Sequence, residues 1–298
     1  MDKLRLRAAG KINLFLEILG VRPDGYHDLS MVLQSVDLAD TVILQPARTI
    51  ALHCAHPLVP TDRTNLAWRA AELVQARTGI ADGVEILIEK RIPVASGMAG
   101  GSTNAAAVLV GLNVLWKLGL TARELQRLAA ELGSDIPFCI EGGTALGLGR
   151  GDELTPLMLP NTLHLVVAKP VDLQVSTAWA YRTYREQHLA HRPPNRTHSK
   201  EMLAAIGQGD VEAIAAHLFN DLEAAVLPAC PEVVRLRDRL RDAGALAAMM
   251  SGSGPSVFGL AADEANARSL YDALAGDPEV EVHLCRTVAG GIEVETTA

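Results

Sequence analysis

Residues Pro93 to Thr103 read PVASGMAGGST, with a strand pattern before them and a helix pattern after them. Val84, Ile86 and Ile88 alternate with period two, as a strand does. Ala105, Val108, Leu109, Leu112 and Leu115 recur at helical spacing, and Gly119 ends that run. A strand, then glycines, then a helix leaves a chain few options. Glycines let backbone N–H groups face inward, and the unpaired N–H groups and dipole at a helix start favour an anion. The stretch lacks the lysine that G-x-x-x-x-G-K-[ST] loops place before their hydroxyl, because Gly101 runs straight into Ser102. Two readings stay open on these residues alone: a phosphate cradle by another route, or a tight strand–helix turn.

The 298 residues suffice for two domains or one large one, and 49% hydrophobic with 21% charged residues is ordinary globular composition. A formal charge of −8 argues against a general nucleic-acid binder, though not against a local basic pocket for a phosphorylated small molecule. Cys54, Cys139, Cys230 and Cys285 show no CxxC spacing and read as reduced, buried thiols of a cytosolic protein. Lys11, Asn13 and Glu17 interrupt the apolar run a signal peptide needs, so no leader is expected. Asn113 and Lys117 break the most apolar long segment, which makes it a buried helix and not a membrane span.

The alternations Leu4, Leu6 and then Ile12, Leu14, Leu16 predict strands, and RPDGYH from Arg22 predicts a turn. Asn65 to Gly79 reads as a helix closed by its glycine, and Thr121 with Glu124 as a capping box for a helix ending near Gly133. A fresh strand begins near Leu163, which places a domain boundary close to Asn161. HLAHRPPNRTH reads as a solvated loop; helical patterns follow at 199–206, 211–227 and 232–245, before MMSGSGPSVFGL enters another strand.

GLGRG at Gly147 imitates a dinucleotide fingerprint, but turn-like DELTP follows where a helix is required. HCAH at His53–His56 lacks carboxylate or cysteine partners at ligand spacing and reads as structural, as do His188 and His191. Lys11 sits among apolar residues; it is either an edge-strand lysine reaching for water or a cation delivered to a phosphate or carboxylate. Asp135, between Gly133 and Ile136-Pro137, is either an N-cap or a general base on a hydroxyl.

Taken together these stretches resemble the GHMP small-molecule kinases. PVASGMAGGSTNAAA resembles their second motif, the ATP phosphate loop, and MMSGSGPSVFGL resembles their third. AGKINLFLEILGVRPDGYHDL is similar to the first motif in the form of the branch that phosphorylates a cytidylated methylerythritol, in the non-mevalonate isoprenoid pathway. Supporting matches run from about residue 5 to residue 290.

The resemblance implies a two-domain α+β fold, residues 1–160 and 161–298, with ATP and substrate meeting in the cleft between the domains. It implies Lys11 and Asp135 as the catalytic pair. Pro93, Val94, Ala95, Ser96, Gly97, Met98, Ala99, Gly100, Gly101, Ser102 and Thr103 match the ATP loop, and Asn65 and Asn104 match nearby nucleotide positions. Asn13, Tyr26 and His27 match residues that hold the cytidine-bearing substrate, with Asp135 on its hydroxyl and Thr177 and Tyr181 further along. Tyr26 and Tyr181 are expected to sandwich the base. ATP with Mg2+, a cytoplasmic location, and no nucleic-acid or membrane partner are implied; a metal ligand set is not. Met98 and Ala99 stand where leucine and glycine are commoner, Thr103 replaces a second serine, and Gln187 to Lys200 match nothing. The rivals are a GHMP kinase for mevalonate, homoserine or a sugar, and a non-catalytic nucleotide binder. GYH argues against the first, and the joint presence of Lys11 and Asp135 against the second.

Overall fold

Two long strands set the frame of the computed structural model, which describes residues 3–191 and 199–295. β1 (Leu4–Val21) and β2 (His27–Ala47) pair antiparallel along most of their length. RPDGY forms the turn between them: Arg22 N–H donates to the Tyr26 carbonyl at 2.8 Å, and Asp24 Oδ1 accepts the Tyr26 N–H at 3.1 Å. The two alternating runs expected in the first segment belong to one strand of 18 residues. Its register against β2 shifts between Ala9 and Lys11, between Asn13 and Phe15, and between Ile18 and Gly20. Bulges of this kind break the period-two pattern and re-aim side chains without ending the strand.

The halves of β2 choose different partners. Its first half pairs with β5 (Thr144–Gly149), which pairs with β6 (Glu153–Leu157). Its second half pairs with β4 (Gly83–Glu89), and β4 runs parallel to β3 (Ala51–Cys54). DELTP is therefore an edge strand where the sequence suggested a turn; Pro156 is tolerated because β6 pairs on one side only. The other edge of β1 takes β8 (Phe219–Asn220) in parallel and β12 (Ile292–Glu295) antiparallel, completing an eight-stranded sheet.

The helices α1 (Leu66–Thr78), α2 (Gly100–Leu115), α3 (Ala122–Leu132) and α4 (Ile136–Glu141) belong to this half. Their ends follow the sequence signals. Asn65 caps α1 by accepting the Ala67 N–H at 2.9 Å, and Gly79 closes it with φ of 72°. The Thr121–Glu124 capping box makes both reciprocal bonds. A Cβ on Gly111 would stand 2.4 Å from Leu44 Cδ1 and 3.1 Å from Leu6 Cδ1, so this glycine sets how closely α2 approaches β1 and β2.

A second, four-stranded antiparallel sheet runs β11 (Val280–Arg286), β7 (His164–Pro170), β10 (Val257–Leu260), β9 (Ala247–Met250). Around it lie α5 (Thr177–Gln187), α6 (Ser199–Gln208), α7 (Val211–Ala216), α8 (Glu223–Val226), α9 (Pro231–Asp242) and α10 (Glu264–Asp272). The helix read over 211–227 is thus interrupted by β8. Asn220 Nδ2 donates to the carbonyls of Met250 and Gly252, each at 2.8 Å, and Asp221 Oδ2 accepts the Ile18 N–H at 2.7 Å. Those bonds flatten the chain against β1. Of the expected loop from His188, Leu189–His191 form one 3-10 turn and 192–198 lie outside the described residues. A division near residue 161 separates the two sheets in sequence, yet β8 and β12 come from the second part and pair with β1.

Gly111→Val is expected to destabilise the protein by about 1–3 kcal/mol, the scale of an overpacked interface. Chemical denaturation is the check; unchanged stability would mean α2 can lift off the sheet freely.

Candidate active site

Lys11 is 4% exposed although it carries a charge. Its ammonium is buried and does not reach water, so the edge-strand reading of this lysine does not hold. Its backbone N–H donates to the Met98 carbonyl at 3.1 Å, and its ammonium donates to Asn13 Oδ1 at 2.7 Å. The ammonium also stands 3.9 Å from Asp135 Oδ2, an ion pair too long for a direct hydrogen bond. Asp135 occupies the residue before α4 but its side chain caps nothing there. That carboxylate is 39% exposed and faces a cleft of about 920 Å³. Among the described residues it is the one carboxylate that lines this cleft.

The glycine-rich stretch forms another wall. Ala95 and Ala99 have φ of 52° and 59°, and Gly97 has φ of 78°. Left-handed non-glycine residues cost of order 1–3 kcal/mol each and persist where the surroundings over-determine them. Here the surroundings are the third glycine motif. Ser256 N–H donates to the Ser96 carbonyl at 3.3 Å, Ser251 Oγ donates to the Gly97 carbonyl at 3.4 Å, and a Cβ on Gly97 would lie 2.1 Å from the Ser251 oxygen. α2 then starts at Gly100 without a side-chain cap, which leaves its first N–H groups for the cleft. Pro93 to Gly97 and Ala99 to Ser102 line the cleft, whereas Met98 and Thr103 do not. The Met98 side chain is buried in the core, and Thr103 Oγ1 donates to the Ala9 carbonyl at 2.8 Å. Sequence position alone put both in the ATP loop; the turn of the backbone carries their side chains inward.

Asn65 and Asn104 line the same cleft and each has a structural task. Asn65 caps α1 and donates to the Pro60 carbonyl at 2.6 Å. Asn104 Nδ2 donates to Asp40 Oδ2 at 2.8 Å, and Asp40 also pairs with Lys90. Lys90 lines the cleft and was missed by sequence reasoning, although it directly follows β4 just ahead of the glycine-rich stretch.

At the far end the rings gather. His27 and Tyr181 pack with centroids 5.0 Å apart and an interplanar angle of 35°. Tyr26 is 55% exposed and carries the Arg150 guanidinium 5.3 Å from its ring centre. The expected Tyr26–Tyr181 sandwich thus has a partner already on each ring: His27 on one and Arg150 on the other. Arg150 belongs to GLGRG, which the sequence offers only as an imitation of a dinucleotide fingerprint. His27 Nε2 is buried without a hydrogen-bond partner. Burial, helped by the Arg185 charge, lowers the His27 pKa from 6.5, so the ring is neutral at pH 7. Burial and then the Asp135 charge raise the Tyr181 phenol well above its ordinary value. Thr177 Oγ1 and Ser253 Oγ lie 2.9 Å apart on the cleft wall, which joins α5 to the third motif. Asn13 lines the cleft too, but its amide is engaged by Lys11 and donates to Met31 Sδ at 3.6 Å.

His53 and His56 lie outside the cleft lining. His53 Nε2 lies 3.1 Å from Glu85 on the surface, and no group of three or more metal-ligating side chains occurs among the described residues. All four cysteines are free, Cys54 half-buried and the others buried. Burial, with the Asp135 charge second, pushes the Cys139 thiol up to about 12. No helix among the described residues is long and apolar enough to cross a membrane.

A cleft built this way invites comparison with known proteins. Residues 65–143 match the GHMP kinases N terminal domain and residues 202–278 match the GHMP kinases C terminal domain. This α+β chain is a small-molecule kinase that uses ATP. A 4-diphosphocytidyl-2-C-methyl-D-erythritol kinase of Gloeobacter violaceus is 61% identical over 295 residues, covering 99% of this chain and 98% of that one. A crystal structure of 4-(cytidine 5'-diphospho)-2C-methyl-D-erythritol kinase superposes with a TM-score of 0.77 at 34% identity, covering 95% of this chain and 99% of that one. A homoserine kinase from Cytophaga hutchinsonii also gives a TM-score of 0.77, at 19% identity, covering 99% of this chain and 98% of that one, so that likeness speaks for the fold alone. The chain belongs to the 4-diphosphocytidyl-2-C-methyl-D-erythritol kinase family.

Gly97→Ala is expected to break the brace between the glycine loop and the third motif, because the methyl meets a backbone oxygen at a left-handed φ. Affinity for an ATP analogue, measured by calorimetry, should fall by about 10-fold or more while the protein stays folded. Unchanged affinity would separate the brace from nucleotide binding.

Proposed function

We propose that this protein transfers the γ-phosphoryl group of ATP to the 2-hydroxyl of 4-diphosphocytidyl-2-C-methyl-D-erythritol. One observation carries the reading. The Lys11–Asp135 pair lines the same cleft as the glycine loop and the Tyr26, His27, Tyr181 cluster. Each part of such a reaction therefore has a candidate group within one cavity.

The chemistry follows from the groups. N–H groups of residues 95–102 and of the start of α2 receive the ATP phosphates. Asp135 accepts the proton of the 2-hydroxyl or orients it, the hydroxyl oxygen bonds to the γ-phosphorus, and the bond to the bridging oxygen breaks to release ADP. Lys11 steadies Asp135 and the charge on the transferring group. Phosphoryl transfer asks mainly for positioning and charge stabilisation, which this sparse set supplies. The donor set fits a magnesium ion that travels with the nucleotide. With no protein cluster to cage a metal among the described residues, the Asp135 carboxylate, with hydroxyls of the cleft wall such as Ser102, would hold the ion. When bound, magnesium neutralises charge on the phosphate oxygens.

The substrate half rests on flat, hydrogen-bonding surfaces. Stacking a base on an aromatic ring is worth roughly 1–3 kcal/mol. The neutral His27 imidazole, with Nε2 buried and unpartnered, suits the polar edge of cytosine. A site whose buried polar atom waits for a partner rejects ligands that lack one. Mevalonate, homoserine and sugars offer no such base.

The test is ADP release with Mg-ATP and each acceptor in turn. Turnover is expected with the cytidylated methylerythritol and loss of at least about 10²-fold in kcat/KM with methylerythritol phosphate or mevalonate. Equal turnover on either of the latter would overturn the substrate assignment. The pH arm follows from the lowered His27 pKa. Protonation removes the acceptor, so KM for the cytidylated substrate should be flat above pH 7 and rise only below the ordinary histidine value of 6.5. A rise centred above pH 7 would contradict a neutral His27.

A further inference from the structure

Asp40 is fully buried and does not line the cleft, yet what it holds either lines the cleft or leads into it. Its Oδ1 accepts the backbone N–H groups of Arg91 and Ile92 at 2.8 and 2.9 Å, where β4 ends and the glycine-rich stretch begins. Its Oδ2 accepts Asn104 Nδ2 at 2.8 Å and pairs with the Lys90 ammonium. One carboxylate thus uses its full acceptor capacity, which is about four lone-pair sites, on the entry and exit of one loop.

The positive half of this pair has the function-facing side. Lys90 and Asn104 both line the cleft beside Gly100, and a Cβ on Gly100 would stand 2.9 Å from Lys90 Nζ. The Lys90 side chain is 6% exposed and Asp40 is 0% exposed. With its charge balanced, this lysine is a fixed donor rather than a free counter-ion for phosphate. A long, flexible ammonium placed this way loses its freedom before a ligand arrives, which lowers the entropic cost of binding.

We infer that Asp40 is a positioning residue for the nucleotide: it fixes Lys90, Asn104 and the glycine-loop entry, and so sets ATP affinity without touching the reacting atoms. This rests on the reading of the cleft as an ATP site, and it adds a residue that no glycine-loop pattern contains.

Asp40→Asn keeps the shape and an oxygen for the two N–H groups but removes the charge that holds Lys90. KM for ATP, and Kd for a non-hydrolysable ATP analogue by calorimetry, are expected to rise about 10-fold or more. Over the same change, kcat and KM for the cytidylated substrate stay within about 3-fold. A merely structural residue would move all of these together. Lys90→Met alone would bury the Asp40 charge without its ion-pair partner, so the companion is Asp40→Asn/Lys90→Met, which buries no unpaired charge. The double variant should melt cooperatively and lose ATP affinity no more than about 3-fold beyond Asp40→Asn. If Asp40→Asn does not fold, Asp40→Glu decides, since it keeps the charge opposite Lys90 but displaces the loop entry. ATP affinity then falls with kcat within about 3-fold, or the inference is overturned. Parental ATP affinity in the folded variant, or a fall in kcat with ATP affinity intact, overturns the inference. If the parent protein fails to phosphorylate the cytidylated substrate, the functional reading falls while analogue binding still decides the role of Asp40.

Discussion

A lysine ammonium buried in the middle of a sheet is the constraint around which this molecule is arranged. Burying a charge is costly unless it is paired and hydrogen-bonded. Lys11 meets that demand with Asn13 on its own strand and Asp135 from the start of α4. The other two glycine-bearing motifs close in on the same atoms. Met98 accepts the Lys11 N–H, and a Cβ on Gly252 would lie 3.0 Å from the Gly97 oxygen, 3.3 Å from Asn13 Oδ1 and 3.3 Å from Lys11 Nζ. Gly252, at φ of 55°, is therefore where three segments far apart in sequence meet, and a side chain there would be strained and crowded. The β1 bulges on either side of Lys11 and Asn13 provide the local re-aiming that a regular strand could not.

A second buried charge divides the work. Asp40 serves Lys90 and the glycine-loop entry, while Lys11 faces Asp135, so the cleft keeps its two lysines on different partners. This arrangement explains how a chain with a formal charge of −8 can present cations to a phosphorylated ligand. The relevant field is local, set by buried pairs that salt screens little. No lysine lies inside the glycine stretch; the two lysines that line the cleft come from β1 and from the residue after β4.

Much of this was legible in the residues. Caps at Asn65, Gly79 and Thr121 fell where the side-chain chemistry puts them, because capping is local. The same locality failed for β8, whose extended conformation is imposed by bonds from Asn220 and Asp221 to strands and loops far away in sequence. It failed for β6, where an edge position makes a proline harmless. In the candidate site, motif spacing found the backbone of the loop but not which side chains it presents. Met98 and Thr103 point inward for that reason. Lys90 and Asp40 lie outside any glycine pattern and Arg150 lies in one that holds no dinucleotide, so only the fold brings them to the cleft or behind it. The ring cluster was legible in composition and not in pairing, since His27 and Tyr181 come together from β2 and α5.

The central claim is that Lys11 and Asp135 act as one unit on the transferring phosphoryl group. A kinetic cycle of Lys11→Met, Asp135→Asn and the double variant, read as kcat with saturating Mg-ATP and cytidylated substrate, tests it most directly. Groups that act together are grossly non-additive, and loss of a general base costs about 10²-fold or more. The double variant should therefore be no more than about 3-fold slower than the slower single variant. A double variant whose loss equals the product of the two single losses would show that the residues act independently and would contradict the account.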